Sequence, residues 1–173
     1  MRHTISGVKK GAGLLWEVPI MVVLPWIAAV IHEYSHWLAA FSLDLRPHVS
    51  LSVYGGWCSY WLGTGAETAV VRLAGGLGSA LVFGAAFLVV RRVRWVNGWL
   101  RVGLLGMLAV LAGAHLVYCV FEGVGVGDTW WAQTIAVVTG LGAGWVASGC
   151  LRQAKLEHLK VRAGIGIVGC LNG

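Results

Sequence analysis

Long apolar stretches separated by short polar segments dominate the sequence. Four of them approach the roughly 20 residues that a helix needs to cross a bilayer. They run from Leu14 to Phe41, from Ala69 to Val90, from Val102 to Phe121 and from Trp130 to Leu151. This pattern predicts an all-α polytopic membrane protein with about four transmembrane helices. We expect residues 1–173 to form a single membrane domain, with residues 152–173 as a tail on the cytoplasmic side.

A different pattern occupies the segment between the first two apolar stretches. Polar and apolar residues alternate from His48 to Val53, which is the signature of a strand, and Gly55-Gly56 is typical of a two-residue turn. The sequence therefore predicts a short β-hairpin over about residues 46–61. Because the edges of a hairpin leave backbone groups unpaired in lipid, it should lie at the membrane interface or against the helices.

Composition agrees with a lipid bilayer as the surroundings. The chain is 58% hydrophobic and 12% charged, with a mean hydropathy of +0.77, whereas soluble domains are nearer a quarter charged. The net charge of +6 does not indicate nucleic acid, because the charges lie at the ends of apolar runs. The four cysteines are scattered and imply no disulfide framework.

The distribution of Lys and Arg predicts the orientation in the membrane. With the N-terminus inside, eleven of the thirteen fall on the inner side, which predicts a multi-pass protein with both termini cytoplasmic. These are Arg2, Lys9, Lys10, Arg91, Arg92, Arg94, Arg101, Arg152, Lys155, Lys160 and Arg162. The alternative that the first apolar run is a cleaved signal peptide is disfavoured by its length.

The segment "HEYSH" places His32, Glu33 and His36 inside the first apolar stretch. On a helix the two histidines project from one face, one turn apart, so both can reach one ion. Glu33 is displaced by about 100° around the helix and can approach a water molecule on that ion. The pattern H-E-x-x-H is typical of zinc peptidases, in which zinc acidifies a water molecule and the carboxylate takes its proton.

Other interpretations of these histidines remain open. The match could be accidental, although ionisable groups in a bilayer are expensive to keep without a function. A haem could be held by His32 or His36 together with His115, but Glu33 would then be buried without a role. A non-catalytic membrane scaffold that binds a metal and holds a partner helix would also use the histidines without needing Glu33.

These features resemble the site-2 protease family of intramembrane zinc metalloproteases. The resemblance covers roughly residues 26–140 and is carried by "HEYSH", by the small-residue stretch "AGGLGSALVFG" and by the hairpin between them. On periodicity alone, that small-residue stretch predicts close helix packing. The family's third zinc ligand is an Asp at the end of the third core helix, where "GVGVGDTWW" offers Asp128.

The resemblance implies an intramembrane protease that hydrolyses peptide bonds of a transmembrane protein substrate. His32, His36 and Asp128 would hold Zn²⁺, and Glu33 would be the general base. Glu122 and His115 are alternative ligands, and His115 could instead contact a ligand or the reacting groups without binding the ion. An unwound substrate could pair with the strand that carries Val49, Leu51 and Val53. A homo-oligomer is left open.

Overall fold

The computed structural model describes residues 8–52, 55–61, 63–93 and 98–162. The elements follow in the order α1 (Val8–Ser42), β1 (His48–Ser52), β2 (Gly55–Ser59), α2 (Gly65–Arg92), α3 (Gly98–Gly123) and α4 (Trp130–Arg162). The predicted helical architecture, with a hairpin after the first helix, is confirmed. The beginning of the predicted tail continues α4 as far as Arg162, and residues 163–173 lie outside the described part of the chain.

Three of the predicted spans correspond to helices that are long and apolar enough to cross a membrane. They cover Gly65–Arg92, Leu100–Gly123 and Trp130–Leu151. In the described part of the chain, no stretch of α1 is found as a fourth such helix. The first transmembrane span therefore stays a prediction.

The hairpin forms with a register that differs from the predicted turn. β1 and β2 are antiparallel, and Ser52 is opposite Gly55, so residues 53 and 54 connect the strands. The prediction that Gly55 and Gly56 form the turn is therefore wrong, since both belong to β2. Gly56 is opposite Leu51 and lies against the Glu33 side chain, where an added Cβ would come within 2.8 Å of the Glu33 Cγ atom. Val53 lies outside the described residues.

α3 lies at the centre of the bundle and packs against α1, α2 and α4, whereas α4 packs only on α3 among the described elements. At the α2–α3 crossing, a Cβ on Gly76 would come within 2.6 Å of the Cys119 backbone. Close helix packing by the small-residue stretch, as predicted, is confirmed. A core of Ala28, Phe83, Leu108 and Leu111 joins α1, α2 and α3.

The start of α2 is fixed by a capping box that follows the hairpin. The Thr64 hydroxyl accepts a hydrogen bond from the Glu67 amide, and the Glu67 carboxylate accepts one from the Thr64 amide at 2.7 Å. Such a cap stabilises a helix by about 1 kcal/mol. It sets where the first turns of α2 lie, and these turns contact His36 of α1.

Candidate metal centre

The two histidines of α1 converge as their spacing predicts. The Nε2 atoms of His32 and His36 are 3.1 Å apart, and the two rings meet edge to face. His32 is buried and His36 is mostly buried. Two imidazoles thus direct one nitrogen each to the same point between α1, α2 and α3.

A carboxylate from the end of α3 completes this group. The Oε1 atom of Glu122 is 3.2 Å from His32 Nε2 and 3.5 Å from His36 Nε2. The three residues, which we call the ligand triad, are the one group of metal-ligand side chains found within the described residues. Glu122 is one of the alternative ligands that the sequence predicts, with Asp128 as the preferred one.

The preferred third ligand, Asp128, is not brought to this group. It is exposed, in the turn between α3 and α4. The physical reason is that α3 continues as far as Gly123, so Glu122 projects from the helix itself. The glycine-rich turn does fold inward, but its Gly127 packs on Glu122, with an added Cβ only 2.6 Å from the Glu122 Cγ atom. The turn therefore covers Glu122 and leaves Asp128 outside.

The orientation of His36 is set by α2. Its Nδ1–H donates to the carbonyl oxygen of Val71 at 2.6 Å, which leaves the lone pair of Nε2 directed at the ligand triad. An outer hydrogen bond of this kind fixes the tautomer and ring orientation of metal-binding histidines. Gly75, one turn further along α2, provides the space, because a Cβ there would lie 2.2 Å from the His36 Nε2 atom.

The ligand triad fits a zinc ion. Tetrahedral coordination with zinc bonds of about 2.0–2.2 Å separates neighbouring ligand atoms by about 3.4 Å, and the three separations here are 3.1, 3.2 and 3.5 Å. Two histidines and a glutamate are also a ligand set of catalytic zinc sites. The second oxygen of Glu122, Oε2, is buried without a hydrogen-bond partner among the described residues. A cation would neutralise this buried carboxylate.

Glu33 lies beside the ligand triad and beneath the hairpin. It is not one of the three ligands, although its carboxylate is close enough to interact electrostatically with all of them. The backbone amide of Cys58 in β2 donates to this carboxylate. The hairpin thus contacts Glu33 beside the ligand triad.

The three cysteines among the described residues lie outside the ligand triad. Cys58, Cys119 and Cys150 are free, and none of them belongs to the ligand triad. Burial, together with the charge of Glu33, raises the pKa of the Cys58 thiol to about 11.

Two further side chains of α3 flank His32. The ring centroids of His115 and Tyr118 each lie 5.6 Å from that of His32. His115 Nδ1–H donates to the carbonyl oxygen of Leu111 at 2.9 Å. Tyr118 was not singled out from the sequence, although its position one turn before Glu122 could have indicated it.

Comparisons of the chain with family models, curated proteins and solved structures give no match. The resemblance to site-2 proteases therefore stays a prediction carried by the quoted residues. The geometry adds one difference from that resemblance, since Glu122 and not Asp128 lies with the two histidines.

Proposed function

We propose that this protein is a membrane-embedded zinc metalloprotease that hydrolyses peptide bonds within or beside the bilayer. The observation that carries the proposal is the convergence of the ligand triad on one point, with Glu33 from the same helix beside it. A catalytic zinc site needs three protein ligands and one open position. The geometry of His32, His36 and Glu122 suits the first requirement.

In this proposal each side chain has a separate task. When bound, zinc would polarise the substrate carbonyl and make a water molecule acidic. The ligand triad would hold the ion, and the hydrogen bond to the Val71 carbonyl oxygen fixes the orientation of the His36 ring. Glu33 accepts the proton of the attacking water on its carboxylate and then passes it to the nitrogen of the leaving amine.

The substrate we propose is a protein segment in an extended conformation. Because the Cys58 N–H donates to the Glu33 carboxylate, Val49 and Cys58 form a pair that exchanges no hydrogen bonds across the ladder. The alternation then turns the backbone groups of Val49 and Leu51 to the outer edge of β1. An unwound transmembrane segment could add there as a further strand.

The proposed orientation has both termini cytoplasmic and the site in the outer half of the membrane. The ligand triad lies at the end of the bundle opposite Arg91, Arg92 and Arg101, which supports the positive-inside assignment. A cysteine placed at Gly65, where a side chain meets open space, should react with a membrane-impermeant thiol reagent in intact cells. A cysteine at Val93 should be protected, and the reverse pattern would overturn the orientation.

A test of the activity combines metal analysis with metal removal. Purified protein in detergent should contain about one zinc ion per chain and should cleave dye-labelled casein or a transmembrane peptide. A chelator should abolish cleavage, and added zinc should restore it. Zinc binding without cleavage of any of these probes would favour the non-catalytic scaffold, and failure to bind zinc would contradict both functions.

A further inference from the structure

One buried nitrogen of the ligand triad has no partner. The Nδ1 atom of His32 is shielded from solvent and has no hydrogen bond among the described residues. A neutral imidazole that binds a metal through Nε2 carries its proton on Nδ1. Leaving a buried donor unsatisfied costs about 1–3 kcal/mol, so the Nδ1–H of His32 needs an acceptor. The Nδ1–H of His36 already has one in the Val71 carbonyl oxygen.

His115 has the properties of that acceptor. Its ring faces His32 across the α1–α3 interface, with centroids 5.6 Å apart and planes tilted by 53°. Since its Nδ1–H donates to the Leu111 carbonyl oxygen, its tautomer is fixed and Nε2 is left as a lone-pair acceptor. The centroid of the Phe83 ring lies 5.9 Å from that of His115.

Ser79 is the competing acceptor. It is completely buried, and its hydroxyl has no hydrogen-bond partner among the described residues. Along α2 it lies between Gly75, which contacts His36, and Phe83, which joins the core around Ala28. Since α1 and α2 are antiparallel neighbours, Ser79 lies at about the level of His32.

We propose that His115 is the positioning residue of His32, accepting the Nδ1 proton at its Nε2 atom directly or through one water molecule. The inference rests on the proposed zinc site. In this role His115 does not contact the ion. It fixes the tautomer and ring orientation of His32, whereas the Val71 carbonyl oxygen does so for His36. The two histidines of the motif would be held from opposite sides, one by α2 and one by α3.

Zinc affinity, measured by competition with a chromogenic chelator, tests this role. His115→Phe keeps the packing against Phe83 but removes the acceptor, and we expect zinc to bind 10–100-fold more weakly with unchanged stoichiometry. His115→Gln supplies an amide oxygen as acceptor and should recover most of the affinity. Ser79→Ala and the exposed control His48→Phe should bind zinc like the wild type.

Two further readouts separate a positioning role from other roles. The visible absorption of the cobalt-substituted His115→Phe protein should keep the intensity of a tetrahedral site, and ¹⁵N spectra of the zinc-loaded wild type should show His115 Nε2 unprotonated. The spectra of the wild type do not depend on whether a variant folds. A protonated Nε2, unchanged zinc affinity in His115→Phe, or a selective loss in Ser79→Ala would overturn the proposal.

Loss of zinc stoichiometry in His115→Phe would also overturn it, because His115 would then be a ligand. If the wild type itself binds no zinc, the proposed function fails before this inference is reached. The two failures are therefore distinguishable in the same set of titrations.

Discussion

Two helix interfaces of this bundle use glycine in different ways. In the α3–α4 interface, Gly140 lies against backbone, with an added Cβ 2.5 Å from the Val110 carbonyl oxygen. In the α1–α2 interface, Gly75 lies against a chemical group, the Nε2 atom of His36. Both glycines permit close approach of helices. Of the two, Gly75 is the one whose lack of a side chain leaves space for a candidate ligand.

The comparison shows that small-residue stretches in membrane helices can serve packing and a site at once. Periodicity alone identifies the small residues but not what they contact. The contact depends on the neighbouring helix, which is α4 in one case and the motif-bearing α1 in the other. Variants that affect one interface and spare the other can test this difference.

The largest expected effect comes from Glu33→Gln in the site-bearing interface. Removing the general base should lower the cleavage rate by about 10²- to 10⁴-fold, while zinc content and helical structure stay as in the wild type. Glu67→Gln, which alters an exposed cap, provides the control and should retain cleavage. Wild-type turnover by Glu33→Gln would show that another group transfers the proton.

A paired substitution of the two glycines addresses the comparison itself. Gly75→Ala places a methyl group against His36 Nε2, so we expect zinc affinity to fall by more than the 10–100-fold that loss of an outer partner causes. Gly140→Ala should destabilise α3–α4 packing by about 1–3 kcal/mol and leave zinc affinity unchanged. Affinity titrations and thermal unfolding measure the two effects. Equal loss of zinc affinity in both variants would contradict the distinction.

The smallest expected effect concerns the hairpin. Leu51→Pro removes an amide that the register directs to the outer edge of β1, and cleavage should fall by about 2- to 10-fold, the cost of one backbone hydrogen bond. Leu51→Ala keeps the amide and is the matched control. Zinc content should be normal in both. Equal turnover of the proline variant and the wild type would count against strand addition.

Much of the architecture could be predicted because local patterns determine it. The apolar character of the last three helices reflects their surroundings, and alternation from His48 to Ser52 predicts the strand. The convergence of His32 and His36 follows from their spacing of four on one helix. Each of these features depends on residues that are close in sequence.

The remaining features depend on contacts between distant segments. Glu122 lies 90 positions from His32, and its selection over Asp128 depends on where α3 ends and how the following turn folds. The wrong prediction of the hairpin turn has a similar cause. The contact of β2 with Glu33 requires a glycine at position 56, and this contact is distant in sequence. Neither contact leaves a periodic signal in the sequence.

The most direct test of the account is the zinc content of two carboxylate variants measured side by side. After dialysis against a weak chelator, Glu122→Gln should have lost most of its zinc, because two histidines alone do not make up the usual set of three protein ligands. Asp128→Asn should retain about one zinc ion per chain, like the wild type. Retention of zinc by Glu122→Gln together with its loss from Asp128→Asn would contradict the ligand triad proposed here.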